Sequence, residues 1–193
     1  MQDASLVLAG TGVAVVAMKQ LVLSKVYQFI EPGPVVLLTT ASKGRANVMT
    51  MSWHMMVEFE PPLIACVVSE GDFSFAALRS TREAVIAIPA RSLADKVVKV
   101  GNCSGRTTDK FEKFGLTPLP ASQVSAPLIK ECFCNLECRV ADTRLVRRYN
   151  LFILEVVKAW TDTGQRQPKT IHHRGYGSFA VDGAIIALNS KMR

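Results

Sequence analysis

The stretch PVVLLTTASKGRANVMTMSWHMMVEFEPPLIACVVSEG, residues 34–71, contains three predicted strands in succession. Its first part, PVVLLTTA (34–41), is apolar and β-branched, which indicates a strand. SKGR (42–45) carries one glycine and predicts a hairpin turn, after which NVMTMSWHMM (47–56) returns as the second strand. LIACVVS (63–69) has the continuous apolar character of a strand that is buried on both faces. The stretch therefore predicts a β-hairpin followed by a buried strand.

The second strand has two chemically different faces. One face carries Asn47, Met49, Met51, Trp53 and Met55, and the other carries Val48, Thr50, Ser52, His54 and Met56. The second face has hydroxyls rather than charges, which suits a ligand that is both planar and polar. The alternative is an ordinary barrel strand with a core face and a solvated face. The residues alone leave both interpretations open.

The remainder of the chain adds short helices and further strands. Helices are predicted in EGDFSFAALRSTRE (70–83), with Asp72 and Ser74 as caps, in SLADKVVKVG (92–101), with a Ser92–Asp95 capping box, and in DKFEKFG (109–115). Strands are predicted in AVIAIPA (84–90), in the two long segments ECFCNLECRV (131–140) and YNLFILEVVKAWTD (149–162), and in part of 171–183. This pattern predicts a mainly β (α+β) fold, a small closed barrel with helical excursions.

The composition is that of a globular protein with one domain. The chain has 193 residues, of which 49% are hydrophobic, and a formal net charge of +7. Basic residues are dispersed, and aromatic residues are few and not interleaved with them, so we predict no nucleic-acid partner. A basic surface can still attract phosphorylated small molecules or an acidic redox protein.

The N-terminal segment contains the apolar run LVLAGTGVAVVAM (6–18). A membrane-spanning helix needs about 20 apolar residues, and a signal peptide needs a positive region before the run. Only Asp3 is charged there. We therefore expect an N-terminal extension (1–17), a single domain (18–193), no membrane partner and a cytoplasmic location.

Three of the five cysteines lie close together in ECFCNLEC (131–138). Their C-x-C-x3-C spacing is not that of a zinc site. Strand periodicity places Cys132, Cys134, Leu136, Cys138 and Val140 on one face, and Glu131, Asn135, Glu137 and Arg139 on the other. We predict that these thiols are buried apolar groups and that the protein binds no metal.

Several enzyme classes are excluded by the absence of their motifs. The sequence contains no G-x-S-x-G, no P-loop, no H-E-x-x-H and no G-x-G-x-x-G after a strand. A cysteine–histidine nucleophile that uses Cys66 or Cys103 stays open, but no local signature supports it.

Four blocks of the sequence carry a resemblance to a known family. They are PGPVVLLTT…GRANVMTMSWHMMVEFEPPLIACVVSEG, GNCSGRTTDKFEKFGLTPLPA, APLIKECFCNLECRV and YNLFILEVVKAW. In this order they resemble the flavin reductase-like domain family, and within it the flavoredoxin branch. The resemblance covers approximately Val26 to Trp160. It implies an FMN-binding split β-barrel of Greek-key type with short helical insertions.

The resemblance also implies a function. It implies a homodimeric oxidoreductase with non-covalent FMN, which moves electrons from NADH, NADPH or a redox partner protein. One alternative is an NAD(P)H:flavin reductase component that supplies free reduced flavin to a monooxygenase. Another is a non-catalytic flavin or heme carrier.

The resemblance assigns cofactor contacts to three segments of the chain. These contacts are Asn47, Met49, Thr50, Met51, Ser52 and Trp53 on the second strand, Ser69, Phe73, Ser74 and Arg79 around the first helix, and Cys103, Ser104 and Lys110 in the glycine-bearing loop. The start of the first helix is the expected phosphate site, with Arg79 as a counter-charge.

Because the flavin supplies the hydride chemistry, no catalytic acid–base side chain is expected. His54 is the candidate for tuning the flavin. His172 and His173 either contact a nicotinamide or the second subunit, or are surface residues. Methionine-rich surfaces adapt to partners, so we expect Met49, Met51, Trp53 and Met55 to contact the second subunit.

Overall fold

The computed structural model describes residues 33–58, 60–162, 168–184, 186–189 and 191. This part of the chain forms strands β1 Val36–Ser42, β2 Arg45–Met51, β3 His54–Glu58, β4 Leu63–Val67, β5 Glu83–Ile88, β6 Pro118–Leu119, β7 Leu128–Ile129, β8 Cys134–Asp142, β9 Leu151–Thr161, β10 Ile171–Gly175 and β11 Ser178–Val181. Its helices are α1 Phe73–Thr81, α2 Ala94–Gly101, α3 Lys110–Phe114 and α4 Val146–Tyr149, and a 3-10 turn, Arg91–Leu93, precedes α2. The mainly β fold with short helical insertions is confirmed. The predicted boundary between residues 17 and 18 lies outside the described residues.

One sheet of seven antiparallel strands forms the body of the molecule. Its strand order is β2-β1-β5-β8-β9-β4-β3. The edge strands β2 and β3 follow one another in the chain and are separated only by Ser52 and Trp53. The predicted second strand is thus two strands, and β2 pairs with β1 whereas β3 pairs with β4. The prediction of a closed barrel is therefore wrong, because the chain crosses a split between the two edges at this point.

The predicted hairpin turn between β1 and β2 is confirmed, and it has two residues. Ser42 pairs with Arg45, and Lys43 and Gly44 both have positive φ, at 51° and 73°. Two central residues with positive φ match the right-handed twist of the strands that they join. The turn fixes the register that places Thr40 opposite Asn47.

Both faces of β2 are covered. Met51 is buried in the barrel interior, and Met49 packs against the same cluster, to which α1 contributes Phe75 and Leu78. Val48, on the opposite face, belongs to a second cluster beneath α2. Met51 is therefore not available to a second subunit, because its side chain is buried in the core, whereas a subunit contact of the half-buried Met49 stays a prediction.

The two long strands β8 and β9 are confirmed, and Cys138 and Val140 of β8 are core residues as predicted. Cys132 differs from the prediction because it precedes β8 and packs in the second cluster instead. Burial raises the pKa of Cys66, Cys132 and Cys138 to about 12, so these thiols stay protonated.

The other face of β8, which carries Asn135 and Glu137, is also covered. The segment from residue 121 to β7 covers it, so Glu137 and Asn135 are both buried. The Glu137 carboxylate accepts hydrogen bonds from Ser122 N (3.1 Å), Gln123 N (2.5 Å) and Trp160 Nε1 (2.7 Å). Burial alone would raise the pKa of Glu137, but these hydrogen bonds hold it below its ordinary value.

The side-chain caps predicted from Asp72 for α1 and from Ser92–Asp95 for α2 do not form. Asp72 precedes α1 but makes no side-chain cap, and the Ser92–Asp95 capping box does not form because the 3-10 turn moves the N-cap of α2 to Leu93. Asp109 does cap α3, since its Oδ1 accepts from Phe111 N (3.0 Å) and Glu112 N (3.2 Å). Gly115 ends α3 with φ 57°. Within the described ranges, no helix is long and apolar enough to span a membrane.

Candidate functional site

Three distant segments meet beside the first residues of β2. They are β2 itself, the first turn of α1 and the loop between α2 and α3. Asn47 Nδ2 on β2 donates a 2.8 Å hydrogen bond to Ser74 Oγ on α1, and both side chains are buried. A buried amide–hydroxyl pair that joins two elements fixes their relative position.

Gly105 brings the α2–α3 loop against this pair. A Cβ atom at this position would overlap Asn47 Oδ1 and lie 2.6 Å from Phe73 Cδ1. The close approach therefore requires a residue without a side chain.

Two arginines lie over the ring of Phe73 at the same place. The guanidinium carbon of Arg45 is 5.1 Å from the ring centroid, and that of Arg106 is 5.8 Å away. Arg45 Nη2 donates to Gly105 O (2.5 Å), and Arg106 Nη2 donates to Gly71 O (3.3 Å). Each arginine thus connects one segment of the site to another.

Serine side chains border this cluster on both loops. Ser69 Oγ accepts from Gly71 N (3.3 Å), and Ser104 Oγ accepts from Arg106 N (3.2 Å). Ser69 N donates to Asp72 Oδ2 (3.0 Å), so the Asp72 carboxylate is directed to its own loop. Phe73 and Ser104, predicted from two separate segments, therefore contact the arginines directly, and Ser69 lies in the loop to which Arg106 is hydrogen-bonded.

Lys110 is a buried cation in the same loop region. Its Nζ donates a 2.9 Å hydrogen bond to Val100 O. Burial lowers the pKa of Lys110, and the nearby Cys103 and Asp72 oppose this change. Cys103 is half-buried, and its Sγ accepts a hydrogen bond of 4.0 Å from Lys113 Nζ.

The opposite end of β2 leads to a large cavity. Ser52, Trp53 and His54 line a space of about 730 Å³ at the split of the barrel. The other lining residues are mainly apolar and include Val36, Met55, Met56, Ile64, Ile86 and Leu136. His54 Nε2 lies 2.7 Å from Pro34 O, so this nitrogen donates and carries the proton.

The remaining predicted contacts on β2 and α1 point elsewhere. The side chains of Met49 and Met51 face the core, and Thr50 Oγ1 donates to Val97 O of α2 (2.6 Å). Arg79 lies in the last turn of α1, about 9 Å along the helix axis from Phe73. Its pairing with a phosphate at the helix start gains no support from this position and stays a prediction.

Sequence reasoning missed Arg45, Arg106 and Gly105. Arg45 directly follows the hairpin turn, and Gly105 and Arg106 lie inside the loop that contained the predicted contacts. The glycine-bearing loop indicated the region of the site. Nothing in the sequence indicated that the two arginines approach the same aromatic ring.

The two histidines of β10 make contacts within the C-terminal hairpin. His172 Nε2 lies 3.0 Å from Thr170 Oγ1 and within hydrogen-bond distance of Asp182 Oδ1, while His173 packs against Phe179 with ring centroids 5.4 Å apart. Hydrogen bonds from Thr170 lower the pKa of Asp182 despite partial desolvation. Among the residues that the structure describes, no group of His, Cys, Asp and Glu side chains is arranged to hold a metal ion.

Comparisons with known proteins agree with this fold. The uncharacterized protein YddH of Escherichia coli (strain K12) is 32% identical over 170 residues, which cover 81% of this chain and 90% of that protein. Flavoredoxin of Desulfovibrio vulgaris (Miyazaki F) superposes with a TM-score of 0.75 at 24% identity, over 81% of this chain and 90% of that one. An FMN-binding domain of a flavin reductases-like enzyme from Shewanella baltica OS155 has a TM-score of 0.77 at 22% identity, over 98% and 100% of the two chains.

The family comparison covers most of the sequence. Residues 30–180 match the family model described as "Flavin reductase like domain". This range includes β1 to β10, the loops that carry Ser69 and Ser104, and the split of the barrel. The chain therefore belongs to the flavin reductase-like domain family.

Proposed function

We propose that the protein binds FMN without a covalent bond and acts as an oxidoreductase. In this proposal it moves electrons from a reduced nicotinamide, or from a redox partner protein, through the flavin. The observation that carries the proposal is the Asn47–Ser74 hydrogen bond of 2.8 Å with Gly105 packed against it. This contact unites the three segments to which the family resemblance assigns the flavin.

The side chains at this place suit the chemistry of FMN. Asn47, Ser69 and Ser104 provide neutral donors and acceptors, and Arg45 and Arg106 provide positive charge for a phosphate. Thr40, opposite Asn47 in the β ladder, has a buried hydroxyl that lacks a hydrogen-bond partner among the described residues. A bound flavin supplies the hydride chemistry, so the role of this chain is to bind and orient it.

The absorption spectrum of the protein, purified without added flavin and then titrated with FMN, tests the proposal directly. We expect a flavin spectrum, or saturable FMN uptake by the colourless protein. Anaerobic addition of NADH or NADPH should then bleach the bound flavin. A folded protein that takes up no flavin would contradict the proposal.

A second candidate function is a flavin reductase that releases reduced flavin to a monooxygenase. The exposure of Arg45 and Arg106 favours it, because a ligand held by solvent-accessible groups exchanges readily. Steady-state kinetics distinguish the two functions. An NAD(P)H oxidation rate that saturates with free FMN well above the protein concentration indicates a flavin substrate, whereas a rate independent of free FMN indicates a prosthetic group.

The net charge of +7 favours a third candidate, an electron carrier with an acidic redox partner. In that case neither NADH nor NADPH reduces the bound flavin, but a reduced ferredoxin-type protein does. The rate of that reduction should fall as salt screens the attraction.

The proposal includes a homodimer in the cytoplasm. Strand β3 is a sheet edge, and Trp53, Met55, Met56 and Val57 on and beside it are 57%, 63%, 49% and 47% exposed. An apolar edge strand of this kind favours pairing with another chain. The five cysteines are all free thiols, which is typical of a reducing compartment.

A further inference from the structure

We propose that the connection between β8 and β9 is the docking surface for an acidic one-electron carrier protein, which exchanges electrons with the flavin beside it. We call residues 143–150 the arginine corner, because they include three arginines and two exposed apolar side chains. The inference rests on the proposed function, since it names the surface at which the redox partner of the flavoprotein binds.

The arginine corner carries a net positive charge. Arg144, Arg147 and Arg148 are all exposed, and Asp142, the last residue of β8, is the carboxylate next to them. Asp142 Oδ2 accepts a hydrogen bond of 2.7 Å from Arg144 Nε, so it neutralises only that arginine. Arg147 and Arg148 form no ion pair with a carboxylate in the part of the chain that the structure describes.

Two charges on neighbouring elements complete this surface. Arg82 Nη2 donates a 2.8 Å hydrogen bond to Val140 O, so a fourth exposed arginine lies beside the end of β8. Glu70 is an exposed carboxylate of the loop that follows β4. Four arginines therefore stand against two carboxylates, and such a surface attracts and orients an acidic protein.

An apolar centre lies among the arginines of the corner. Leu145 is 46% exposed and Tyr149 is 53% exposed, and the guanidinium carbon of Arg148 lies 5.1 Å from the centroid of the Tyr149 ring. Tyrosine and arginine are enriched at the centres of protein interfaces. Cations alone would suit any polyanion, whereas an exposed leucine and tyrosine between them favour the surface of a protein.

The corner is fixed to the body of the molecule. Val146 is buried in the core cluster to which α1 contributes. Tyr149 N and Asn150 N each donate a 2.8 Å hydrogen bond within the short helix α4, and Asn150 ends that helix with φ 56°. A preformed surface of this kind loses little conformational entropy when a partner binds.

The corner also adjoins two segments that are predicted to hold the flavin. Val68 N donates a 3.0 Å hydrogen bond to Asn150 O of the corner, and Ser69 is the next residue of the chain. Val67 N donates a 3.0 Å hydrogen bond to Trp53 O. Because Ser69 and Trp53 are both predicted flavin contacts, a carrier that docks on the corner comes close to the proposed flavin.

Two molecules of a one-electron carrier balance the reduction of one flavin. Each reduced carrier is oxidised by one electron, and the two electrons with two protons from water convert oxidised FMN to its dihydro form. One docking surface serves both transfers in succession if the first complex dissociates. The weak, small interfaces of electron-transfer complexes allow such exchange.

The test measures, by stopped-flow absorption, how fast an acidic 2Fe–2S ferredoxin with a potential of about −400 mV reduces the FMN-loaded protein. The double variant Arg147→Glu with Arg148→Glu should lower the second-order rate constant at low salt by at least about tenfold and weaken its dependence on salt. Leu145→Ser keeps the net charge, so it should lower the rate constant by about three- to tenfold and leave the salt dependence unchanged. FMN affinity and reduction by dithionite should match the wild-type protein in both cases.

The double variant Arg91→Glu with Lys130→Glu is the matched control. It changes the net charge by the same amount, and both side chains are exposed. Both residues lie near the start of β8, whose nine residues separate them from the corner by about 27 Å, well beyond a Debye length. The control should therefore keep the wild-type rate constant to within about twofold.

Equal rate constants in the corner variants and in the control would overturn the inference. So would an FMN-loaded wild-type protein that the ferredoxin does not reduce, although the proposed function would then stand. If an anionic phospholipid vesicle or a single-stranded oligonucleotide binds the wild-type protein but not the Arg147/Arg148 variant, while the ferredoxin reduces both equally, the corner belongs to that partner and the inference is wrong. A protein that takes up no flavin would overturn the proposed function, and the inference with it.

Discussion

The site around Asn47, Phe73 and Ser74 has no room for a Cβ atom at Gly105. A methyl group there would overlap Asn47 Oδ1 and crowd the Phe73 ring at 2.6 Å. We expect Gly105→Ala to displace the loop and to weaken FMN binding by about tenfold or more, since overpacking of this kind costs about 1–3 kcal/mol. Flavin fluorescence titration and thermal melting measure the two effects.

Gly183 provides the matched control for this substitution. A Cβ atom at Gly183 has no neighbour within 4 Å, so Gly183→Ala should change neither FMN affinity nor melting temperature. Normal FMN affinity in Gly105→Ala would show that the loop does not contact the ligand.

The sequence predicted the residue types of the site better than their orientations. Asn47 and Ser74, predicted as cofactor contacts from separate segments, are hydrogen-bonded to each other, and Ser104 lies in the loop that packs against them, while their contact with a flavin stays a prediction. Thr50 shows that the orientation of a side chain is harder to predict from sequence. Period-two alternation assigned its hydroxyl to an open face, but α2 covers that face and Val97 accepts the hydrogen bond. A local pattern identifies the face of a strand, whereas the element that covers the face comes from a distant part of the chain.

At the scale of elements, the short helix α3 depends on its cap. It has five residues, and Asp109 accepts hydrogen bonds from two of its backbone amides at 3.0 Å and 3.2 Å. Asp109→Ala should lower the free energy of unfolding by about 0.5–2 kcal/mol, and it should weaken FMN binding because Lys110 begins this helix. Urea unfolding and flavin titration measure these changes.

Asp109→Asn separates capping from charge. Asparagine caps helices about as well as aspartate, so this variant should retain most of the stability and the FMN affinity. Equal losses in both variants would show that the negative charge matters and that the cap does not.

The Glu137 carboxylate attaches an entire segment to the outer face of β8. It is fully buried and accepts from Ser122, Gln123 and Trp160. Glu137→Gln should lower the free energy of unfolding at pH 7 by about 1–3 kcal/mol. The NH2 group of glutamine would replace one accepting oxygen and face the N–H donors of its neighbours. Urea unfolding measures this loss, and the exposed Glu70→Gln serves as the control.

The direction of the pKa shift predicts how this contribution depends on pH. The pKa of Glu137 is lowered in the folded protein, so the carboxylate stabilises the fold at pH values above the unfolded pKa of about 4.3. That contribution is lost as the pH falls below this value and through the folded pKa. The difference in stability between the wild-type protein and Glu137→Gln should therefore be constant from pH 7 to pH 5 and narrow as the pH falls below about 4.3. A difference that stays constant over this fall would contradict the role of the charge.

The elements also show why the closed barrel was predicted wrongly. Residues 47–56 have continuous strand character, and no glycine or proline marks the point at which they change partners. The division at Ser52 and Trp53 follows from tertiary pairing, since β2 joins β1 and β3 joins β4. The same limit applies to Glu137, because a period-two pattern gives the face of β8 on which it lies but not the segment that covers that face.

At the scale of the whole molecule, the split of the barrel exposes an apolar surface that no described element covers. The cavity of about 730 Å³ opens beside β3, the edge strand with the exposed side chains Met55, Met56 and Val57, and beside the exposed Trp53 that precedes it. Exposed apolar edges of this type are uncommon on monomers, and natural proteins usually protect them with charges, proline or a covering element. A second copy of the chain is the proposed cover.

We expect Met55→Asp to weaken this self-association. Met55 is 63% exposed, so the substitution costs little in the isolated subunit, whereas a charge buried in an interface without a partner is strongly unfavourable. Sedimentation velocity across a dilution series should show a wild-type dimer and a shift towards monomer in the variant. Leu145→Asp, at a side chain 46% exposed and outside β3, is the control and should remain dimeric.

Flavin binding and dimerisation should be thermodynamically linked if the flavin also touches the second subunit. Ser52 and Trp53 were predicted as flavin contacts and lie at the split, beside the proposed interface. A ligand that binds the dimer more tightly than the monomer stabilises the dimer by mass action. FMN should therefore lower the protein concentration at which half of the wild-type chains are dimeric, and Met55→Asp should weaken FMN binding although it leaves Arg45, Asn47 and Gly105 intact. A monomeric Met55→Asp variant with undiminished FMN affinity would place the complete flavin site within one subunit.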